Sequence, residues 1–200
     1  LARSRGLGDV YKRQNKYRGF SKRYEIDPSI TLVLGAGNFS SIPYLDVLYH
    51  LITRKSVILL KLNPVNEYLK PVFEKVFQNF IERGYIIVTT GNIDESKYMA
   101  NHPGINHIHL TGSDKTFEDI VYGRELTEKE RTTKSLSKIN NKSITSELGN
   151  VTPIIIHPGK WSTSDIKYQA RKIVTAKLNN NGFNCICLLY TSPSPRDLAR

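Results

Sequence analysis

Few residues in this chain could do chemistry, and most of them fall where an apolar run ends. Cys185 follows Asn181-Gly182-Phe183-Asn184. A lone cysteine is usually a small buried apolar group. One on a polar, Asn/Gly-rich turn has the access and the nearby donors that a nucleophilic thiolate needs. Glu147 precedes Leu148-Gly149-Asn150. A strand-end carboxylate facing a cleft acts as a base when burial raises its pKa, but spacing alone favours a salt-bridged or exposed glutamate. Gly35-Ala36-Gly37-Asn38-Phe39-Ser40 follows one strand and opens a helix. The dinucleotide fingerprint asks for a third glycine or alanine where Ser40 stands, and no acidic residue follows the second strand at the usual place. The plainer reading is a tight strand-to-helix turn. Thr111-Gly112-Ser113 is a second such junction. Exposed N–H groups at a helix start attract phosphate, and a serine there also serves as a simple N-cap. The five histidines are dispersed with no zinc spacing, and His107 and His109, on one strand face, read as structural.

The elements that must position these residues alternate. Residues 30–34 (ITLVL) form a short β-branched run, a buried strand ending in the glycine turn. Ser40 or Ser41 is placed to cap the next helix, with Pro43 in its first turn and Leu45, Leu48, Tyr49 and Ile52 at helical spacing. Residues 56–62 are a second buried strand. Residues 66–83 predict one amphipathic helix presenting Leu69, Val72, Phe73, Val76, Phe77 and Phe80 on one face, closed by Gly84. A strand over 85–90, a helix over 94–101, a strand over 105–110 and a helix over about 115–122 follow. Residues 127–142 are polar and without an apolar period, a surface connection or exposed edge. Residues 143–148 and 152–157 predict two more strands. Ser162 or Thr163 caps a last helix carrying Ile166, Tyr168, Ala170, Ile173, Val174 and Leu178, stopped at residues 179–182. Strands alternating with helices predict an α/β fold, a Rossmann-like, mostly parallel sheet with helices on both faces.

The two ends read differently. A DNA that encodes SRGLGDVYKRQ over residues 4–14 yields CLLYTSPSPR, the sequence of residues 187–196, from its complementary strand shifted by one base. The pair resembles a sequencing-library adapter translated at both ends of a DNA fragment, and such segments are set aside before fold reasoning. The expected natural segment is 15–186. The net charge of +11 invites a nucleic-acid partner. Yet four of those charges belong to the end segments, which leaves +7, and Lys and Arg are dispersed rather than grouped on one face. No stretch approaches the roughly 20 apolar residues that span a bilayer. Cys185 and Cys187, two residues apart, are poorly placed to bridge each other, so a disulfide scaffold is excluded and a reducing, cytoplasmic setting is expected.

Taken in order, Gly37-Asn38-Phe39, Lys61, Thr111-Gly112-Ser113, Glu147-Leu148-Gly149 and Gly182-x-x-Cys185 resemble the aldehyde dehydrogenase superfamily over nearly all of 15–186. The resemblance implies a truncated form of that fold. Residues 15–180 would be a partial NAD(P)-binding domain with 124–142 as an exposed connection, and 181–186 the start of a catalytic domain. It implies Cys185 as nucleophile, Asn38 as oxyanion donor and Glu147 as the base that activates water. Lys61 would bind the adenosine ribose and Ser113 a pyrophosphate oxygen, with Gly112, Leu148 and Gly149 as further cofactor contacts. The cofactor is NAD or NADP, the substrate an aldehyde, and the whole protein a homo-oligomer with no nucleic-acid partner. Three positions depart from the family pattern. Pro64 stands where many members carry an acidic residue, Asn150 replaces a second glycine, and Gly37 replaces a tryptophan. The alternatives are a coenzyme A-linked acylating relative or acyl reductase, a basic nucleic-acid-binding domain, and a non-catalytic nucleotide-binding module.

Overall fold

The computed structural model describes residues 29–133, 136–149, 152–157 and 159–185. The end segments read as adapter lie outside the described residues, as does Asn150. Five strands form one sheet: β1 Ile30–Leu34, β2 Val57–Lys61, β3 Ile86–Thr89, β4 His107–Thr111 and β5 Ser143–Glu147. Their order is β3-β2-β1-β4-β5 and every pairing is parallel. Parallel neighbours need crossover connections, and helices supply them. The helices are α1 Ser41–Thr53, α2 Lys70–Val76, α3 Gln78–Ile81, α4 Ile93–Asn101, α5 Asp114–Tyr122, α6 Glu128–Arg131 and α7 Thr163–Leu178.

Side chains on a strand alternate between faces, so one strand feeds two cores. Val33, Ile58 and Leu60 pack with Val47 of α1 and with Phe73 and Phe77 beyond β2. Leu32, Leu34, Ile108 and Leu110 pack on the other face with Ala100 of α4 and Ile120 of α5. This two-sided burial explains why the strands read as continuous apolar runs. Each such Leu or Ile contributes about 1.5–3 kcal/mol by leaving water.

The α1 face of the sheet is apolar only in part. Beside β1, strand β4 turns His107 and His109 toward His50 of α1, whose ring centroid lies 5.3 Å from that of His107 and 4.7 Å from that of His109. Ser143 and Thr145 of β5 hydrogen-bond to the His107 ring, and Thr145 to that of His109. Asp46 lies 3.4 Å from His109 Nε2. Neither ring nitrogen of His50, nor the Thr31 hydroxyl, has a hydrogen-bond partner among the described residues. Burial, first of all, holds His50 and His107 near pKa 4, and the neighbouring imidazoles add to the effect.

Several expectations need correction. The helix predicted over 66–83 is broken: a 3-10 turn Pro64–Leu69 precedes α2, and Phe77 sits between α2 and α3 with φ −96° and ψ 10°. Pro71 has no N–H to give to a helix interior, so the α-helix restarts around it as its first turn. Of the predicted face, Phe73 and Phe77 are buried, but Val72, Val76 and Phe80 are exposed. On α1 the buried residues are Pro43, Val47 and His50, while Leu45, Tyr49 and Ile52 face out. That helix is apolar nearly all round, so its period did not single out one stripe. Ser40 occupies the N-cap position without a side-chain capping bond. Residues 152–157 add no strand to the sheet, and Ile154, Ile155 and Ile156 are exposed. Helix α7 begins at the Ser162 cap as expected but buries none of its residues.

The polar connection before β5 is anchored rather than simply exposed. Arg131 donates from Nε to Glu118 Oε1 at 2.7 Å. Asn140, which is buried, donates to Ala100 O at 3.1 Å, and Lys142 Nζ donates to the same carbonyl at 2.8 Å. Carbonyls at a helix C-terminus lack intrahelical partners, and these two side chains serve those of α4.

Candidate active site

A doubly wound sheet binds ligands outside the carboxyl ends of its strands, where the strand order reverses. Here the order reverses between β1 and β4. A cavity of about 340 Å³ lies at that point, bordered by Gly35, Lys61, Asn63, Asn92, Gly112 and Ser113. Two helices begin at its wall. Asn92 caps α4 in a capping box with Glu95, and Ser113 caps α5 by accepting from Thr116 N at 3.2 Å. Gly112 N donates to Glu147 O at 3.0 Å, which ties the second junction to the end of β5.

Lys61, the last residue of β2, is only 5% exposed, unlike the solvated lysine common at a strand end. Its ammonium makes no hydrogen bond or ion pair with any described residue. Burial lowers its pKa, and the Glu67 and Glu95 carboxylates pull it the other way. Both carboxylates are engaged by backbone: Glu67 Oε1 accepts from Gly91 N at 3.0 Å and Glu95 Oε2 from Asn92 N at 2.8 Å. The side chain is largely buried while its ammonium stays open to the cavity. Set beside two helix N-termini, it fits a phosphate-bearing ligand.

A second cleft of about 590 Å³ lies alongside, bordered by Asn38, Phe39, Asn63, Asn66, Asn180 and Phe183. Asn63 borders both. The glycine loop between them is fixed by close approach: a Cβ on Gly37 would stand 2.7 Å from the Asn63 side chain. Asn66 donates to Ala36 O at 3.0 Å and to Gly37 O at 3.3 Å. Asn38 Nδ2 in turn donates to Phe183 O at 2.9 Å, and Asn180 Nδ2 to Asn38 O at 2.8 Å. The chain reverses before Cys185 through three residues with positive φ: Asn180 at 50°, Asn181 at 53° and Gly182 at 80°. Asparagine and glycine are the residues that adopt this region readily. Cys185 is exposed and free.

Of the residues singled out from sequence, Lys61, Gly112 and Ser113 gather around one cavity. Asn38 meets the turn that leads to Cys185. Glu147, Leu148 and Gly149 border neither cavity. The Glu147 side chain is exposed, with no hydrogen bond to Asn38 or Cys185. Leu148 packs against the second core cluster. Sequence reading missed Asn63 and Asn66. Asn63-Pro64 carried a usable signal, an N-cap followed by proline, and Asn63 accepts from Val65 N at 3.1 Å. Among the described residues, no group of His, Cys, Asp and Glu could hold a metal ion, and no helix is long and apolar enough to cross a membrane.

An open parallel sheet of this order, with a cavity at its switch point, defines a doubly wound α/β domain. The chain belongs to the aldehyde dehydrogenase family, whose sequence model matches residues 48–190. The match leaves out β1 and Asn38 and runs past Ile186, the last residue before the segment read as adapter. No curated protein gives a sequence match. Among solved structures, the fold is similar to a substrate-bound aldehyde dehydrogenase of Staphylococcus aureus, at 18% identity and TM-score 0.60, covering 86% of this chain and 35% of that one. Aldehyde dehydrogenase 21 from Physcomitrella patens, solved with the reaction product succinate, gives 17% and 0.59, covering 82% and 31%. Succinic semialdehyde dehydrogenase from Streptococcus pyogenes, solved with NADP+ as the cofactor, gives 20% and 0.53, covering 78% and 31%. The chain spans about a third of the length of these structures.

Proposed function

We propose that this chain is a portion, 15–186 being its natural part, of an NAD(P)-dependent dehydrogenase that oxidises an aldehyde to a carboxylic acid. The observation that carries this reading is the Asn38–Phe183 hydrogen bond, which sets a side-chain amide against the turn before an exposed cysteine. The neighbouring cavity with Lys61, Gly112 and Ser113 supports the cofactor half of the reading. The bound dinucleotide would supply a hydride acceptor.

The chain's residues would act as follows. The Cys185 thiolate attacks the aldehyde carbon, forming a C–S bond and an oxyanion. The Asn38 amide and the Cys185 N–H donate to that oxyanion. Loss of the carbon's hydrogen as hydride leaves a thioester on Cys185. Glu147 takes a proton from water as it attacks the thioester, the C–S bond breaks, and the acid and the Cys185 thiolate are released. Lys61 holds the adenosine ribose. Gly112 and Ser113 hold the pyrophosphate, with Leu148 and Gly149 as further contacts. A free, exposed thiol suits a reducing compartment, here the cytoplasm. The whole protein is proposed to be a homo-oligomer.

The longer polypeptide that contains this segment tests the reading. Aldehyde-dependent formation of reduced nicotinamide should be abolished by Cys185→Ala. Unchanged turnover in that variant would leave only a non-catalytic nucleotide-binding module. The 200-residue chain alone should bind dinucleotide without oxidising acetaldehyde. A coenzyme A-linked acylating enzyme is the second reading, favoured by an exposed Glu147 that borders neither cavity. Glu147→Gln separates the two, since it stalls hydrolysis in the first and leaves acyl transfer to coenzyme A untouched in the second.

A further inference from the structure

The turn before Cys185 holds a peptide bond that can rearrange without an enzyme. Asn181 is followed by Gly182, and no other asparagine in the chain precedes a glycine. Asparagine is a thermolabile residue, because the next backbone nitrogen can attack its side-chain carbonyl carbon. A Cβ on that next residue shields the nitrogen, and glycine has none. Asn179, Asn180 and Asn184 lie in the same stretch, but the residues after them are Asn180, Asn181 and Cys185, each of which carries a Cβ.

The surroundings leave Asn181 open to water and lightly held. Its side chain is exposed and hydrogen-bonds to no described residue. The helix before it buries none of its residues. Positive φ values run through Asn180, Asn181 and Gly182 in succession. Asn181 has ψ 27°, whereas ring closure at an L-residue needs a strongly negative ψ, so the Gly182 nitrogen points away from the side chain. Attack must therefore wait until the turn opens. Two amide bonds to the glycine loop keep it shut: Asn38 Nδ2 donates to Phe183 O, and Asn180 Nδ2 donates to Asn38 O. Exposed bonds of this kind open locally, without global unfolding.

We infer that Asn181 is a site of spontaneous deamidation, gated by the contact between Asn38 and the turn. In the open turn the Gly182 nitrogen forms a bond to Asn181 Cγ. The Cγ–Nδ2 bond breaks, and the Gly182 proton leaves with the side-chain nitrogen as ammonia. Water then opens the cyclic imide at either carbonyl. One opening gives aspartate. The other gives isoaspartate, whose main chain runs through the β-carbon. Nothing is oxidised or reduced, and water is the only co-reactant. Either product sets a carboxylate in the turn, four residues before Cys185. Isoaspartate also lengthens the turn, which draws Phe183 O away from Asn38. The modification stands whether or not Cys185 is a nucleophile.

Incubation of the 200-residue chain in mildly alkaline buffer, then tryptic digestion and tandem mass spectrometry, tests this. Acid in place of amide should accumulate at Asn181, as both aspartate and isoaspartate, and not at Asn179, Asn180 or Asn184. Asn38→Ala should react about fivefold faster than the unsubstituted chain, the gain expected from one lost hydrogen bond, and the chain in urea faster still. Gly182→Ala strains a positive φ and so loosens the turn, yet it should slow the reaction by shielding the nitrogen. Intact Asn181 after incubation in urea, acid spread evenly over the four asparagines, or an undiminished rate in Gly182→Ala would overturn the site. Equal rates in the native chain, in Asn38→Ala and in urea would overturn the gate and leave the site standing.

Discussion

The cavity around Lys61 and the turn that carries Cys185 stand next to each other but are held by different means. Lys61 ends a strand whose backbone is paired on both sides, with β1 and with β3. Gly35 N donates to Lys61 O at 3.0 Å, and Leu62 N to Thr89 O at 2.9 Å, so the register continues into the loops. Beneath it lie Ile58 and Leu60, both fully buried. Cys185 follows a helix that buries nothing, and its turn is joined to the glycine loop by two amide hydrogen bonds. A group carried by a sheet moves only when the sheet unfolds. A group hung on two exposed hydrogen bonds opens at a far smaller cost. Binding of a dinucleotide and formation of the nucleophilic site should therefore fail separately.

The largest expected effect breaks the sheet-borne region. Phe77 is fully buried in the first core cluster and stacks on Tyr44 with ring centroids 5.3 Å apart. Phe77→Ala should cost about 3–5 kcal/mol, and dinucleotide binding should be lost with the fold. Urea unfolding monitored by circular dichroism reads the first, and titration below the new midpoint reads the second. A loss under 1 kcal/mol would mean that the face beneath Lys61 is not the rigid base described.

Acid should weaken the same region next. His50 and His107 have pKa values near 4 in the folded chain against 6.5 for a free imidazole. Between those values the unfolded chain binds more protons than the folded one. Stability is then fully present above about pH 6.5 and is lost as pH falls toward 4. His50→Leu removes one of the two titrations and two unpartnered nitrogens. Its unfolding midpoint should depend less on pH across this window and should not fall at neutral pH. An unchanged pH profile would show that His50 does not titrate with unfolding.

The five strands of the sheet were legible because burial on both faces writes itself as runs such as ITLVL and VILLK, whereas the equally apolar run 152–157 is exposed and adds no strand. The junctions were legible because glycine, serine and asparagine have local reasons to stand where a strand meets a helix. What was not legible depended on distant partners. The outward stripe of α1 and the inward one are equally apolar, and only packing chooses. Pro71 marked the break in the helix after β2, but the strong phenylalanine period masked it. His107 and His109 were legible as one strand face, but His50 joins them only because α1 packs against β4, which no spacing records. At the site, Lys61 and Asn38 could be named from resemblance. The burial of Lys61 and the clamp by Asn66 could not, because both depend on the loop after β2 folding back over the loop after β1.

The clamp offers a smaller and sharper test. Asn66→Ala removes two donors to the glycine loop, about 1–2 kcal/mol if the Ala36 and Gly37 carbonyls lose their partner. Both regions should feel it, because Asn66 borders the second cleft and holds the loop that carries Asn38. Weaker dinucleotide binding together with faster exchange around Phe183 is expected. An effect on either one alone would show that the two regions do not share this loop.

The smallest effect should fall on the hung region alone. Asn38→Ala removes the bond to Phe183 O but leaves the Asn38 carbonyl to accept from Asn180. The Phe183 N–H, which donates to Asn180 O at 3.0 Å, should then exchange with solvent about fivefold faster, the equivalent of ~1 kcal/mol. The Leu62 N–H should exchange at its original rate, since its partner is Thr89 O across the paired strands. If both amides speed up together, the turn and the sheet open as one unit, and the separation of binding from nucleophile would be lost. If neither changes, the Asn38 amide is not what holds the turn, and its place beside Cys185 would have to come from the rest of the polypeptide.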